Sequence, residues 1–467
     1  MKFGLNPHTN TICSAFLTAG LFAVPITARA KCPDPAVPGY ATAAQTQFNC
    51  SSARELINSG GEREFKVKLD FPADMPPTAN LPWKPINFEQ QPEAYLRALL
   101  AYGIKDNNDP AVDWRIEDNT KSRWCHAPWF HNQRERLHGM TLERGSRIRE
   151  LHEAQVTVAR NWAVGFYNDV GCFAMGKVWK DPTFPRTRDF TFPDGAYSIK
   201  LLFTTAPLSE VPYLTGSKEW NAAINDDGSL VKMRLLQVDV AVRDSNADKY
   251  SGWVFGTFIY DAYALGNTVW EKLVPVGLMW GNDPELTSAQ YEERGVKPKE
   301  AWINPEVAEK FFALPRHNLG LHGRVNGPVD NFKAACLACH GRALDWGRPV
   351  LRGTPQNDEA NALLPLAPSP YDDTGVKNYF RDLKPNVPFV AGAQPLDFSL
   401  QAAGGVANFR AWVGTTFPSE TASTSDVPPY RFKSDGPLPS SSNFTAQRQT
   451  DRTPRADGNE QFIRGEE

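Results

Sequence analysis

Ala-Cys-Leu-Ala-Cys-His, residues 335 to 340, is a Cys-x-x-Cys-His motif. This spacing is typical of the covalent attachment of a c-type haem. Two thiols with two residues between them, here Cys336 and Cys339, each add to a vinyl group at one edge of the porphyrin. The adjacent His340 then lies under the iron and supplies its proximal ligand. The motif therefore predicts one covalently bound haem c.

Two other chemistries use a Cys-x-x-Cys pair. A zinc site needs two further ligands of matching type, usually a second pair of cysteines or histidines. No cysteine or histidine follows His340, so these ligands would have to come from upstream. A thioredoxin-like dithiol is expected to open a helix after a buried strand, and it requires no adjacent histidine. Haem c is the interpretation that uses all three residues of the motif.

Haem c is attached outside the cytoplasm, and the N-terminus has the pattern of an export signal. Lys2 begins a weakly basic region, an apolar run extends from Ile12 to Ile26, and Ala28 and Ala30 are the small residues that signal peptidase requires. We expect residues 1–30 to be cleaved. No later stretch is long and apolar enough to span a bilayer, so we expect a soluble periplasmic protein.

Composition restricts the partners and the cross-links. A net charge of -3 over 467 residues argues against nucleic acid as a partner. Of the seven cysteines, Cys13 leaves with the signal and two belong to the motif. An even number then remains in an oxidising compartment, which suggests two disulfides. Of the three possible connectivities we favour the local one, which pairs Cys32 with Cys50 and Cys125 with Cys172.

The middle of the chain has the pattern of a sheet. Alternating or β-rich segments predict strands at Phe65–Asp70, Phe173–Trp179, Tyr197–Thr204, Leu236–Val242 and Gly252–Asp261. Helices are predicted at Pro92–Tyr102 and Pro305–Leu314, and a helical or apolar pattern recurs at Tyr379–Leu383 and Phe398–Trp412.

These segments predict an α+β fold, with a mainly antiparallel β-sheet, peripheral helices and long loops. We place a β-rich haem domain at residues 161–350, with an N-terminal loop-rich segment, residues 31–160, packed on it. Residues 351–414 form a C-terminal loop and helix extension. Residues 415–467 are too polar to bury a core and are predicted to be a disordered tail.

The distal side of the iron has no evident protein ligand. An ordinary small cytochrome c supplies a methionine after its haem motif, but no methionine follows His340. Either the iron is five-coordinate and open to small ligands, or a ligand comes from upstream. The upstream candidates are His126, His131, His138, His152, His317, His322, Met140, Met175, Met233 and Met279.

The stretch from Trp124 to His131 (Trp-Cys-His-Ala-Pro-Trp-Phe-His) allows two interpretations. It is either a pocket wall near the haem or a disulfide-pinned loop that packs its two tryptophans on the core. We favour the second interpretation. His126 and His131 are five residues apart, which is not the i, i+4 spacing of a helical metal pair.

Four segments in order resemble the cytochromes P-four-sixty and the related cytochromes c-prime-beta, over about residues 165–342. These segments are Phe-Pro-Asp-Gly-Ala-Tyr-Ser-Ile-Lys (192–200), Val-Asp-Val-Ala-Val-Arg-Asp-Ser (238–245), Gly-Trp-Val-Phe-Gly-Thr-Phe (252–258) and the motif at 335–340. The resemblance implies an antiparallel β protein with one late haem c, commonly a dimer. The chain is longer than the family and has an insertion at residues 262–316.

The resemblance also implies roles for individual residues. His340 matches the proximal ligand. Lys200 matches a strand lysine that is joined covalently to the porphyrin in the hydroxylamine-oxidising members, and Asp239 matches a distal carboxylate that relays protons. From the residues alone, both side chains equally suit the solvent-facing positions of alternating strands.

We therefore expect a periplasmic haem c protein with redox or small-ligand chemistry at the iron, such as hydroxylamine oxidation or nitric oxide binding. Whether it is an enzyme is left open. A soluble periplasmic electron carrier is the expected protein partner, and a homodimer is implied by the resemblance. The alternative is an electron-transfer cytochrome c with a six-coordinate iron. A structural or sensory haem is a third option.

Overall fold

The computed structural model describes residue 32 and residues 39–54, 59–307, 319–348 and 373–428. All of these residues belong to one compact unit. The predicted signal peptide, the later part of the predicted helix Pro305–Leu314 and residues 429–467 of the predicted tail lie outside the described residues. The first part of the predicted disordered tail, residues 415–428, is wrong: it contains the 3-10 helix Pro418–Ser423, and Asp426 accepts a hydrogen bond from the backbone N–H of Thr187 at 3.2 Å.

A nine-stranded antiparallel sheet dominates the described part of the chain. Its strands are β1 Trp124–Cys125, β2 Thr141–Leu142, β3 Asn161–Asn168, β4 Tyr197–Thr204, β5 Glu219–Ala222, β6 Val231–Arg243, β7 Trp253–Tyr260, β8 Leu273–Met279 and β9 Ala301–Ile303. The main order is β1-β3-β4-β6-β7-β8-β9, β2 also pairs with β3, and β5 pairs with β6. A separate short ladder joins β10 Leu344–Asp345 to β11 Gln394–Pro395.

Helices lie around the sheet. They are α1 Tyr40–Phe48, α2 Pro92–Ile104, α3 Asp169–Val178, α4 Ser288–Glu292, α5 Cys336–His340, α6 Asp373–Tyr379 and α7 Leu400–Thr416. The α+β class and the mainly antiparallel sheet are as the sequence predicts. In the described residues, no helix is long and apolar enough to cross a membrane.

The two faces of the sheet carry separate hydrophobic cores. Side chains alternate across a strand, so Ile199 and Leu201 of β4 enter the core that also contains α2. Helix α2 packs closely there, because a side chain at Gly256 of β7 would collide with Leu96. Phe255 of β7 lies in the second core, with residues of α3, α5, α6 and α7. Lys200, between Ile199 and Leu201, therefore points to the face that carries the Cys-x-x-Cys-His helix.

Two predicted strands are wrong. Phe65–Asp70 is not a strand, because its backbone N–H groups bond to scattered loops: Val67 donates to Ser51 Oγ at 2.9 Å and Lys68 donates to His126 Nδ1 at 3.0 Å. Phe173–Trp179 belongs largely to helix α3. The Asn168 side chain caps that helix by accepting a hydrogen bond from the backbone N–H of Gly171.

The predicted insertion, residues 262–316, supplies strands β8 and β9 of the sheet. The residue pattern predicted no strand in this segment. Strand β8 is buried along almost all its length and pairs with β7, so its pattern is a continuous apolar run without alternation. The segment therefore extends the sheet on the side away from β3.

Candidate functional site

The Cys-x-x-Cys-His motif forms the short helix α5, which lies against strand β7. Cys336 and Cys339 are half-buried and are not in disulfides. The His340 ring lies 4.6 Å from the Phe255 ring, measured between centroids. Its Nδ1 lies 2.8 Å from the backbone carbonyl oxygen of Phe398, and this contact is a hydrogen bond in the tautomer protonated at Nδ1.

This geometry leaves Nε2 of His340 as the nitrogen with a free lone pair. Burial lowers the pKa of His340 to about 4, so the imidazole is neutral near pH 7. A neutral imidazole whose other N–H donates to a carbonyl is the usual form of a metal-bound histidine. The donor set therefore suits the proximal side of a haem iron.

Lys200 and Asp239 face each other across strands β4 and β6. They are direct partners in the ladder, and Lys200 Nζ lies 2.8 Å from Asp239 Oδ2. Asp239 also accepts hydrogen bonds from Gln237 Nε2 at 2.8 Å and from Thr257 Oγ1 at 2.7 Å. The Lys200 and Asp239 side chains are 29% and 21% exposed, so both remain partly accessible. We call the region of the sheet around them, between helices α5 and α7, the cleft.

Two further carboxyl groups complete what we call the charged cluster: Lys200, Asp239, Glu143 and Asp330. Glu143 follows β2, and its backbone N–H donates to Asn161 of β3 at 2.9 Å. The register pairs Thr141 with Ala163 of β3, so Glu143 shares the sheet face of Lys200. Asp330 Oδ2 accepts hydrogen bonds from the backbone N–H of Gly327 at 3.1 Å and from Gln237 Nε2 at 3.4 Å.

The charged cluster shifts the protonation of its own members. Burial by itself lowers the pKa of Lys200, but Asp239, Asp330 and Glu143 outweigh this effect and raise the pKa well above its ordinary value. Burial raises the pKa of Glu143; Lys200 opposes this shift, while Asp330 and Asp239 add to it. Lys200 is therefore a charged ammonium, and Glu143 holds a proton at higher pH than an ordinary glutamate does.

The charged cluster also acts on the two thiols of the motif. Burial raises the pKa of Cys336 well above its ordinary value and that of Cys339 to about 12. The charge of Asp330 raises both pKa values further, and the charge of Lys200 lowers both. Asp330 lies six residues before Cys336 and is linked through Gln237 to Asp239, which connects the charged cluster to the start of the motif helix.

Helix α7 closes the cleft near β3. Gly165 is the ladder partner of Lys200 on β3, and a side chain at Gly165 would collide with the amide of Gln401. Gln401 Oε1 is buried and has no hydrogen-bond partner among the described residues. Phe398, immediately before α7, supplies the carbonyl that contacts His340. The C-terminal extension thus contributes to the cleft, which the sequence pattern did not predict.

The four remaining cysteines form the local pairs that we favoured. Cys32 is joined to Cys50 and Cys125 to Cys172, with Cα atoms 5.7 and 5.9 Å apart. The second disulfide ties strand β1 to helix α3. It pins the stretch from Trp124 to His131, whose Trp124 and Trp129 are both buried. The interpretation of this stretch as a disulfide-pinned loop agrees with the structure.

The candidate sixth ligands of the iron are spread over both faces of the sheet. Met140 and Met233 lie in the core on the α2 side of the sheet, away from the motif. Met175 and Met279 lie in the core that contains α5. Each described histidine upstream of the motif has contacts of its own. His126 accepts a hydrogen bond from the backbone N–H of Lys68, and the rings of the other four each lie near an aromatic ring: His138 near Trp220, His152 near Tyr213, His131 near Trp129 and His322 near Tyr291. His317 lies outside the described residues.

Three groups at the cleft were not predicted from the sequence: Glu143, Asp330 and the Phe398 carbonyl. Asp330 lies in the turn just before the motif, and this proximity was a usable signal. Glu143 and Phe398 come from segments far away in the chain and gave no such signal. Comparison of this chain with protein-family models, with curated proteins and with solved structures finds no match.

Proposed function

We propose that this chain is a periplasmic haem c protein that binds a small ligand at an open iron. Cys336 and Cys339 would hold the porphyrin, and His340 Nε2 would hold the iron. Bound there, the haem would supply an iron that exchanges electrons and takes a small molecule such as nitric oxide or hydroxylamine. The haem domain is residues 161–350, completed by Glu143 and Phe398 from its flanks.

One observation carries this proposal: the Lys200–Asp239 ion pair lies on the face of the sheet that carries the motif helix, and Gln237 links Asp239 to Asp330, just before the motif. A charged cleft at that place is unnecessary for a buried electron-transfer haem, but it serves a polar ligand that gains or loses protons. The pairing also supports the resemblance to the cytochromes P-four-sixty and c-prime-beta, which implies that both residues lie at the haem.

The ion pair favours ligand binding without the lysine cross-link that joins the porphyrin in the hydroxylamine-oxidising members of that family. An amine attacks an electrophilic carbon only when it is deprotonated. The carboxylates around Lys200 raise its pKa and keep it charged. We therefore propose that Lys200 holds Asp239 in place and offers an N–H donor to the ligand.

The optical spectrum of the exported protein tests this proposal. We expect an ordinary c-type pyridine haemochrome, a high-spin ferrous iron and a spectral change on addition of nitric oxide. Lys200→Arg keeps the charge opposite Asp239 and should leave the haemochrome unchanged, as should Lys232→Arg, a control at an exposed strand lysine paired with Glu219.

Three other results of the spectral test would each contradict part of the proposal. A red-shifted Soret band that Lys200→Arg restores to the ordinary position would show a cross-link and would make hydroxylamine oxidation the leading activity. A sharp low-spin ferrous spectrum with no response to nitric oxide would favour the alternative, a six-coordinate electron carrier. A chain exported without haem would overturn the proposal altogether.

Glu143 is expected to make anion binding depend on pH. Its pKa is raised, so the carboxyl is neutral below that pKa and becomes negative as the pH rises through it. The new negative charge opposes an anion in the cleft. Between about pH 5 and pH 9, we expect the affinity of the ferric wild-type protein for azide to fall about fivefold more than the affinity of Glu143→Gln does. This difference corresponds to about 1 kcal/mol.

The matched control is Glu117→Gln. Burial also raises the pKa of Glu117, but this residue lies in a separate small cavity beside Phe65 and Trp114. Azide titrations from about pH 5 to pH 9 on all three proteins make the comparison. If Glu143→Gln keeps the wild-type pH dependence, Glu143 does not face the ligand.

A further inference from the structure

The backbone that meets His340 is held in an unusual conformation. Asp397 and Phe398 have φ values of 42° and 62°, in the left-handed region that residues other than glycine rarely adopt. This conformation directs the Phe398 carbonyl to His340 Nδ1 at 2.8 Å. Such conformations are strained and persist only where the surrounding structure holds them.

The Asp397 side chain is what holds this turn. Its Oδ2 accepts hydrogen bonds from the backbone N–H of Phe192 at 2.6 Å and from Thr191 Oγ1 at 3.1 Å. Its Oδ1 accepts from Trp253 Nε1 at 2.9 Å. The residue is 3% exposed. Three donors converge on one buried carboxylate, and an amide could satisfy them on only one of its two atoms.

The same contacts connect the turn to the sheet beneath His340. Trp253 opens strand β7, and the Phe255 ring, 6.0 Å from that of Trp253, contacts the His340 ring. The Trp253 ring also lies 6.5 Å from the Phe398 ring, between centroids. One strand therefore positions the face of the imidazole and, through Asp397, the acceptor of its N–H.

We propose that Asp397 is a positioning residue for His340. By fixing the Phe398 carbonyl, it sets how strongly Nδ1–H donates and therefore how electron-rich Nε2 is toward a metal. This inference rests on the proposed haem function, and it assigns to the C-terminal extension the control of the iron's redox equilibrium. Partners in the same position at other metal sites typically change metal affinity by about 10- to 100-fold when removed.

Asp397→Asn tests the proposal through the midpoint potential of the haem. The NH2 group of the new amide would face an N–H donor that the carboxylate oxygen accepted. The turn therefore loosens, and the hydrogen bond between His340 and the Phe398 carbonyl weakens. A less electron-rich imidazole favours ferrous iron. We expect about a tenfold shift of the ferric-to-ferrous equilibrium toward ferrous, which corresponds to about 59 mV for one electron. The iron–histidine stretching frequency of the ferrous protein should fall in parallel.

Three further variants separate positioning from a general structural effect. Trp253→Phe removes the donor to Oδ1, together with part of a ring that packs near Phe255 and Phe398. It should give a smaller shift in the same direction, which keeps the test valid if Asp397→Asn fails to fold. Trp280→Phe is its control, because the buried Trp280 Nε1 has no hydrogen-bond partner among the described residues. Asp244→Asn is the control for the carboxylate, since the buried Asp244 accepts from Tyr95 Oη at 2.7 Å, away from His340.

The outcomes distinguish the two proposals. A wild-type protein without covalent haem overturns the proposed function and this inference with it. If covalent haem is present, but Asp397→Asn and Trp253→Phe leave potential and stretching frequency where their controls leave them, only the positioning role of Asp397 is overturned.

Discussion

Replacing Cys336 and Cys339 together by serine is expected to abolish covalent haem attachment completely. A serine hydroxyl does not add to a porphyrin vinyl group, whereas both side chains of α5 otherwise keep their size and place. His340 and its bond to the Phe398 carbonyl remain, so any haem that still binds is held by the iron alone. Acidified acetone should then extract all of the haem from the variant and none from the wild type.

The control for this experiment is the replacement of Cys32 and Cys50 by serine. That variant also loses two cysteines, but these are joined to each other away from α5, and it should keep its covalent haem. Haem that resists extraction from the Cys336/Cys339 variant would contradict the assignment of the motif. A wild-type protein that carries zinc in place of haem would restore the zinc alternative.

Arg410→Met is expected to lower the free energy of unfolding by about 3–5 kcal/mol, because it leaves a buried carboxylate without its counter-charge. Arg410 of α7 binds Asp345 of β10 through two nitrogens, Nε at 2.8 Å and Nη2 at 2.5 Å. Their side chains are only 3% and 1% exposed. Burial opposes ionisation of Asp345, but Arg410 outweighs it and lowers the pKa of that carboxyl.

The Arg410–Asp345 pair attaches α7 to the segment that follows the motif. Its loss should therefore also weaken the packing of α7 over the cleft. Denaturant unfolding measures the effect. Arg97→Met is the matched control, because Arg97 pairs with Glu93 on the exposed side of α2 and such pairs contribute about 0–1 kcal/mol. Adding Asp345→Asn to Arg410→Met should recover part of the loss, since the unpaired charge disappears. A loss below about 1 kcal/mol for Arg410→Met would contradict the prediction.

Local patterns in the sequence were sufficient to predict several helices and strands. Strand β4 has the predicted bounds Tyr197–Thr204, and helix α2 begins at the predicted Pro92 and ends two residues beyond the predicted Tyr102. Both carry their signal within a few consecutive residues, as a β-rich run and as helical spacing after a proline. Helix α3 was mistaken for a strand because its apolar residues alternate imperfectly, and its cap at Asn168 was not recognised.

The motif residues Cys336, Cys339 and His340 were identifiable from the sequence by itself as candidates for haem attachment, because that chemistry requires two cysteines and a histidine at one short spacing. The antiparallel character of the sheet was also predictable, from strands joined by turns. The local disulfide pairing was one of three possible connectivities, and the structure decided it. Only the tertiary structure decided that Lys200 forms an ion pair with Asp239, that Glu143 and Asp330 join them, and that Asp397 and Phe398 hold His340. The physical reason is that charge and hydrogen-bond partners depend on strand register and on contacts between segments far apart in the chain, which no local pattern of residues encodes.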